Sequence, residues 1–600
     1  MDRGAEIVLA ILLVAAFLSI QALIGGTRLL LAFPAYGLLA VAGVLAPFLL
    51  RKAKPAPDQV CLWSAVLFFG YVLLRAVLSP VPYLARFDIY SVLAALVVYF
   101  LTSCLLTSAR ARMWILVCLL IAAMAHVLVG AIQFRNGDNF MPIPFLQRFD
   151  YGRRASGFYI SPNHLAGVLE VVGIFGLSIT CWSRWPVWAK LLTGYAAGIC
   201  YVGVILTGSR GGYLSAAASL VVFGVFSLDI LRAAGSTLLV RIGGPALIAG
   251  VLALTVVFSL VHKSDFLTDR ASKVIDNTDI RLDYWQAAIP QWKLSPFIGT
   301  GSRTYLYYGR KYRVERVQLD AVYVHNDYLQ LLSEYGIAGV ATFFVFLTAH
   351  LRRGWLNARR LGRKRIVVSH NLASNTMALN LGAVGAVSAY VVHSVFDFNL
   401  HIPANVLLLA LVFGILANPG TTQGSLESSS AKNPILWPGL LFALAAILGL
   451  QTWRLAPGEY YTERARIAVR DFRPFEATSY ALKACEYEKQ NPALYYYLGR
   501  AHILAGDNER DPEARASLYG AALTALAQAR ELAPLDETYM LELAFTYDAL
   551  QRFPEAEWMY YEARAFDPKS VSTQPYYEAH LAKWKASGLP QGMGAAPRGG

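Results

Sequence analysis

Four short segments hold most of the polar side chains that could do chemistry in this apolar chain. The first runs Arg154-Ala-Ser-Gly-Phe-Tyr-Ile-Ser-Pro-Asn163-His164-Leu-Ala, and the second is Thr207-Gly-Ser209-Arg210-Gly-Gly. The third extends from Arg281 through Trp285 to Pro296-Phe-Ile-Gly299-Thr-Gly301. The fourth is His325-Asn326-Asp-Tyr328-Leu-Gln, followed by Glu334-Tyr-Gly336-Ile-Ala-Gly339. Arginine presents a planar fork that grips phosphate oxygens two at a time and stays charged at any accessible pH. An imidazole exchanges a proton near neutrality. These residue types suit an anionic, phosphate-bearing ligand and a reaction that takes a proton from a hydroxyl. The glycines around Arg210 allow close backbone approach at a helix start, where free amides favour an anion.

Plainer roles compete for the same residues. The arginines can anchor at a membrane boundary or pair with Asp265, Asp269, Asp276, Asp279 and Asp283. Asn163 follows Pro162 and can cap a helix, His164 can be a polar helix-end residue, and His126 a satisfied core histidine. Arg75 and Glu170 are costly in lipid, so each should line the substrate cleft or pair with the other. His393, Asp397 and His401 recur at i, i+4, i+8, a spacing that could gather metal ligands on one helix face. No metal is expected there.

The elements that must position these residues follow from composition. Of 600 residues, 56% are hydrophobic and only 15% charged, against about 25% charged in an average globular chain. Most of the chain must face lipid. At about 20 apolar residues per crossing, thirteen spans are expected: roughly 5–24, 29–50, 60–78, 88–106, 113–133, 164–182, 189–206, 212–228, 242–261, 331–350, 376–396, 402–417 and 435–453. The loops holding Arg51, Lys52 and Lys54, then Arg110 and Arg112, then Arg352 to Arg365 fall on one side. Cytoplasmic loops carry such cations, which puts the N-terminus inside and the C-terminal part outside. All four chemical segments then face outward, the last two in or beside the long stretch 262–330.

Charge divides at about residue 453. Upstream stand 36 Lys and Arg against 19 Asp and Glu; downstream, 17 against 20. Half of the upstream cations lie outward, beyond what topology requires, and suit an anionic ligand there. A basic part that is also the apolar part argues against nucleic acid. The six cysteines form no disulfide framework and no CxxC pattern. In the polar tail, Met540, Leu543, Ala544, Tyr547, Ala556, Tyr560, Ala563 and Pro568 match the signature positions of a 34-residue tetratricopeptide unit. A second unit starts at Tyr495, Leu498 and Gly499, and a third, before Pro492, is degenerate. Such stacked helix pairs dock peptides or partner proteins.

In this order, the four segments resemble the O-antigen ligase and polymerase superfamily, membrane glycosyltransferases that use polyprenyl-diphosphate-linked glycans. The resemblance spans roughly residues 60–420. It implies an all-α, polytopic membrane bundle of the GT-C-like type over 1–453, followed by a tetratricopeptide solenoid over 454–600. It implies an inverting, metal-independent transferase of the bacterial inner membrane, without cofactor, acting in the periplasm on an undecaprenyl-diphosphate donor. The acceptor would be lipid A-core, a protein or another glycan, and the tail would dock protein partners. Family arginines associated with the diphosphate match Arg210 and Arg281, with Arg154 a third candidate; the outer-loop histidine that activates the acceptor matches His325. Asn163, Ser209, Asn326, Tyr328, Arg75 and Glu170 are expected to support them. The rival classes are a polytopic solute or anion transporter, whose interruptions should lie near mid-membrane in paired halves, and a non-catalytic scaffold for polysaccharide export.

Overall fold

Long apolar runs fold as helices because lipid offers no partner to a backbone N–H or C=O, so each segment must satisfy its own. The computed structural model describes residues 2–49, 55–143, 145–146, 148–233, 280–368, 373–420 and 436–590. Among the described residues the chain is all-α, with a single isolated bridge between Ile24 and Tyr159. The first eight helices are α1 (Asp2–Ala22), α2 (Leu29–Leu49), α3 (Gln59–Val77), α4 (Pro82–Phe100), α5 (Ala109–Asn136), α6 (Pro162–Trp182), α7 (Val187–Thr207) and α8 (Arg210–Ala233). After them come α9 (Ile280–Leu294), α10 (Tyr305–Tyr312), α11 (Asp327–Val368), α12 (Asn375–His393), α13 (Pro403–Ala417) and α14 (Leu436–Arg470). Local chemistry sets their starts. Proline opens α4, α6 and α13, while Asp58, Ser108 and Ser374 accept N–H bonds at the heads of α3, α5 and α12.

Eleven of the described helices are long and apolar enough to cross a membrane, so this is an integral membrane protein. The expected ninth span, 242–261, lies outside the described residues, as does Arg270. The expected twelfth corresponds to α13, which has only 15 residues. Its end is completed by Arg112, which is buried with no acid beside it among the described residues. Arg112 donates to the carbonyls of Asn418 at 2.5 Å, Leu106 at 2.8 Å and Thr102 at 2.6 Å. One guanidinium thus satisfies orphan carbonyls after α13 and around the π-helical turn Leu101–Leu105 that ends α4.

The composition boundary near 453 is no structural break. Helix α14 runs through Pro457 to Arg470, about 52 Å at 1.5 Å per residue, and carries the chain from the apolar bundle into the tail. There α15 (Pro474–Tyr487), α16 (Pro492–Asn508), α17 (Pro512–Leu532), α18 (Glu537–Ala549), α19 (Phe553–Phe566) and α20 (Thr573–Ala586) pack as consecutive neighbours. Ion pairs tie the tail to the bundle. Arg86 of α4 meets both Glu459 and Glu488, and Arg313 meets Asp567. Tyr307 donates to Asp536 at 3.4 Å, and Gln318 to the Lys569 carbonyl at 3.0 Å.

Candidate functional site

The connection between α12 and α13, residues 394–402, is where the four chemical segments meet. Helix α12 stops at His393, so the i, i+4, i+8 spacing does not lie on one helix face, and each member takes a different partner. His393 Nδ1 is 2.9 Å from Glu170 Oε1, Asp397 Oδ1 is 3.4 Å from His325 Nδ1, and His401 lies between Asp88 and Asp327 at 3.9 and 3.8 Å. Among the described residues, no group of His, Cys, Asp and Glu is arranged to hold a metal ion.

His325 sits on a turn with φ of 57°, a left-handed conformation costly for a side chain of this size. Asn326 fixes the turn from one side, its Oδ1 accepting the N–H groups of Tyr328 at 3.0 Å and Leu329 at 3.1 Å. From the other side, Trp285 donates to the His325 carbonyl at 3.4 Å. The imidazole stacks on Tyr284 at 5.6 Å and meets Phe398 edge-on at 4.6 Å. Its side chain is 29% exposed, whereas Asp397 is buried. Burial works to raise the Asp397 pKa, but contact with His325 and the charges of Arg281 and His164 outweigh it. They hold the carboxyl well below the usual carboxylate range. Asp397 is therefore an anion that can only accept. Its charge 3.4 Å from Nδ1 favours the tautomer with the proton there, which leaves Nε2 for a substrate hydroxyl.

The first two segments lock together through Arg154. This buried guanidinium donates from Nε to the Thr207 carbonyl and from Nη2 to Asn163 Oδ1, both at 2.8 Å. It braces the α7–α8 turn against the start of α6. The capping role expected for Asn163 falls to Ser161, whose Oγ accepts the Asn163 N–H at 3.3 Å. Ser209 caps α8, accepting the Gly212 N–H at 3.2 Å. Arg210 opens α8 and is exposed. Arg281 is the second residue of α9, close enough for its charge to be felt at both Asp397 and His393. His164 is buried, with neither ring nitrogen bonded, edge-on to Phe398 at 5.1 Å. His126 is the satisfied core histidine expected, accepting the Phe158 N–H at 3.2 Å.

Two expectations are corrected. Arg75 and Glu170 do not pair: Arg75 donates to the Gly299 carbonyl at 2.8 Å, while Glu170 takes His393 and the hydroxyl of Ser215. Several outward arginines are consumed by the protein itself. Arg148 donates to the carbonyls of Arg154 at 2.8 Å and Asp138 at 2.6 Å, Arg310 pairs with Asp320 at 2.9 Å, and Arg316 with Asp283 at 2.8 Å. Arg303, on a φ of 64°, is clasped by Asp88 at 2.6 Å and meets Tyr323. Burial lowers the Arg303 pKa, but the Asp88 and Tyr323 charges raise it further, so this cation is permanent. Asp88 also accepts from Ser302 at 2.7 Å and Tyr335 at 3.0 Å. Sequence reasoning missed Asp88 and singled out Asp397 only for a metal-ligand spacing, not as the partner of His325; an acid inside an apolar span was the available signal for Asp88. Tyr328 donates to the Val391 carbonyl at 2.7 Å and ties α11 to α12. Beneath His401 and Asp327, a cavity of about 130 Å³ reaches into the bundle, walled by Phe68, Phe69, Phe343, Phe346 and Phe413.

The chain is thus an all-α, polytopic integral membrane protein with an imidazole–carboxylate pair near Arg281. Residues 195–344, a quarter of the chain, match the family model of the O-Antigen ligase, which is a family of membrane glycosyltransferases. The matched stretch holds the second, third and fourth segments; Arg154, Asn163 and Asp397 lie outside it. No curated protein matches the chain.

Proposed function

We propose that the protein transfers an oligo- or polysaccharide from a polyprenyl-diphosphate carrier, of the undecaprenyl type, to an acceptor hydroxyl on the periplasmic face of the bacterial inner membrane. The observation that carries this reading is the His325–Asp397 pair set on a hub shared with Arg210 and Arg281. His325 Nε2 takes the acceptor proton while the acceptor oxygen bonds to the anomeric carbon from the face opposite the leaving group. The bond from that carbon to the phosphate oxygen breaks, its electron pair leaves with the diphosphate, and configuration inverts. Arg210 and Arg281, with the positive end of the α8 dipole, neutralise the departing charge. Arg154 serves by holding the α7–α8 turn that presents Arg210. The aromatic-walled cavity below the hub supports a donor with a hydrocarbon chain.

The tail, bonded to the segment 305–320 beside this site, suits a repeat module that brings a protein partner or the acceptor to it. Lipid A-core, a protein and another carrier-linked repeat all offer the required hydroxyl. The lipid-linked glycan profile of a deletion strain separates them: single repeats left on carrier mark a polymerase, and long chains trapped on carrier mark a ligase. His325→Ala should lose about 10²- to 10⁴-fold in transfer by membrane vesicles while remaining inserted. Full transfer by that variant would overturn the assignment of the base.

A further inference from the structure

His393 has no part in the reading above, yet it is the best-held histidine of the hub. Its side chain is 0% exposed, and Nδ1 lies 2.9 Å from Glu170, itself fully buried. Glu170 also accepts the Ser215 hydroxyl, so one carboxylate ties α6, α8 and α12 together. Because an ionised carboxylate only accepts, Nδ1 carries a proton. That leaves Nε2, which is buried and has no hydrogen-bond partner among the described residues. The edge of the ring that bears it lies over the first turn of α8. A Cβ on Gly211 would stand 3.3 Å from the His393 Cδ2 and 3.5 Å from Nε2, so glycine keeps this approach open. An unpaired buried ring nitrogen thus meets the start of α8, which Arg210 opens, within reach of the charge of Arg281.

We propose that His393 is a third anion-binding group of the donor site, presenting Nε2–H to a diphosphate oxygen between Arg210 and Arg281. The inference rests on the donor reading given above and adds to it a ligand and its support. In the imidazolium form the ring bridges two acceptors, Glu170 through Nδ1 and the phosphate through Nε2, so both nitrogens are satisfied when the anion is bound. The other charged and titratable groups around it are Asp397, His164, Arg210 and Arg281. This arrangement also explains a charge kept inside the sixth span: Glu170 is the counter-ion that lets a cation stand there.

The test is the affinity of the purified, full-length protein for inorganic diphosphate, measured by calorimetry in detergent, together with donor KM and kcat. His393→Phe should bind diphosphate about 10-fold or more weakly, the worth of one charge-assisted hydrogen bond, and His393→Gln should recover part of the loss. Glu170→Gln, which keeps the shape and removes the counter-charge, should shift affinity the same way. Ser215→Ala loosens Glu170 without touching the anion and remains informative should the His393 variants fail to fold; a loss of about threefold is expected there. Wild-type affinity in His393→Phe, or in both Ser215→Ala and Glu170→Gln, overturns the proposal. Arg210→Ala separates the two levels of argument. If it abolishes binding while the His393 and Glu170 variants bind normally, only the role of His393 falls; if it too binds normally, the donor site itself is misplaced.

Discussion

Replacing Asp397 by Asn removes a charge whose effect can be worked from the site. The carboxylate lies 3.4 Å from His325 Nδ1 and is buried, so little water intervenes. His325 becomes a cation only as it takes the acceptor proton, so the attraction appears on the way to the transition state and lowers the barrier rather than the ground state. At 3.4 Å, Coulomb's law gives about 5 kcal/mol for an effective dielectric of about 20, and about 2.4 kcal/mol for about 40. At about 1.36 kcal/mol per tenfold in rate, these correspond to losses of roughly 4,000-fold and roughly 60-fold. The 29% exposure of the His325 side chain favours the smaller figure. The amide of Asn can also donate toward Nδ1 and select the wrong tautomer, which adds to the loss. The assay is transfer by the purified protein in proteoliposomes, with kcat and donor KM measured separately. We expect kcat to fall at least about 50-fold with donor KM within about threefold of wild type. A folded Asp397→Asn protein with wild-type kcat refutes the pair; a raised KM at unchanged kcat would show instead that Asp397 acts through Arg281 on donor binding.

Asp88→Asn leaves Arg303 buried without its counter-ion, and should cost about 3–5 kcal/mol in unfolding measured in detergent; stability equal to wild type would remove the Asp88–Arg303 pair as the clasp of the outer segment. Gly336 has φ 68° and ψ −171°, and a Cβ there would stand 2.4 Å from the Phe297 carbonyl. Gly336→Ala should therefore displace the 297–301 loop and lower the melting temperature by an amount corresponding to about 3 kcal/mol or more. Glu537, in the tail against Arg310, has a pKa pushed up from 4.5 to about 7, chiefly by burial. An acid whose pKa is raised on folding contributes stability that is complete below 4.5 and is lost as pH rises through about 7. The melting temperature of Glu537→Gln relative to wild type should accordingly climb across that window and level off above it; a constant difference would contradict the shift. Arg86→Met strands Glu459 and Glu488 and should speed proteolytic cutting between bundle and tail, with unchanged cutting as the contrary result.

Most helices and the four segments were legible in the sequence because each depends on neighbours within a few positions, an apolar run or a glycine-rich turn, whereas the one cap read from it, Asn163, gave way to Ser161. What could not be read was which polar side chain answers which. Asp397 and His325 are 72 positions apart, His393 and Glu170 223 apart, and Arg303 and Asp88 215 apart. No local period encodes such pairings; they follow from which helices pack. Spacing misled for the same reason. The 393–401 run imitates one helix face, but the helix ends at His393 and the chain turns, so three ligand-type residues go to three partners. The outward positive charge changes meaning in turn. Arg148, Arg154, Arg303, Arg310, Arg313 and Arg316 are held by carbonyls and acids of the protein, so an excess of cations on one side is mostly architecture. The number of outward arginines is then no sign of an anionic ligand. What favours an anion is where two of them stand: Arg210 at the helix start over which the buried His393 Nε2 lies, and Arg281 near enough for its charge to act on His393 and Asp397.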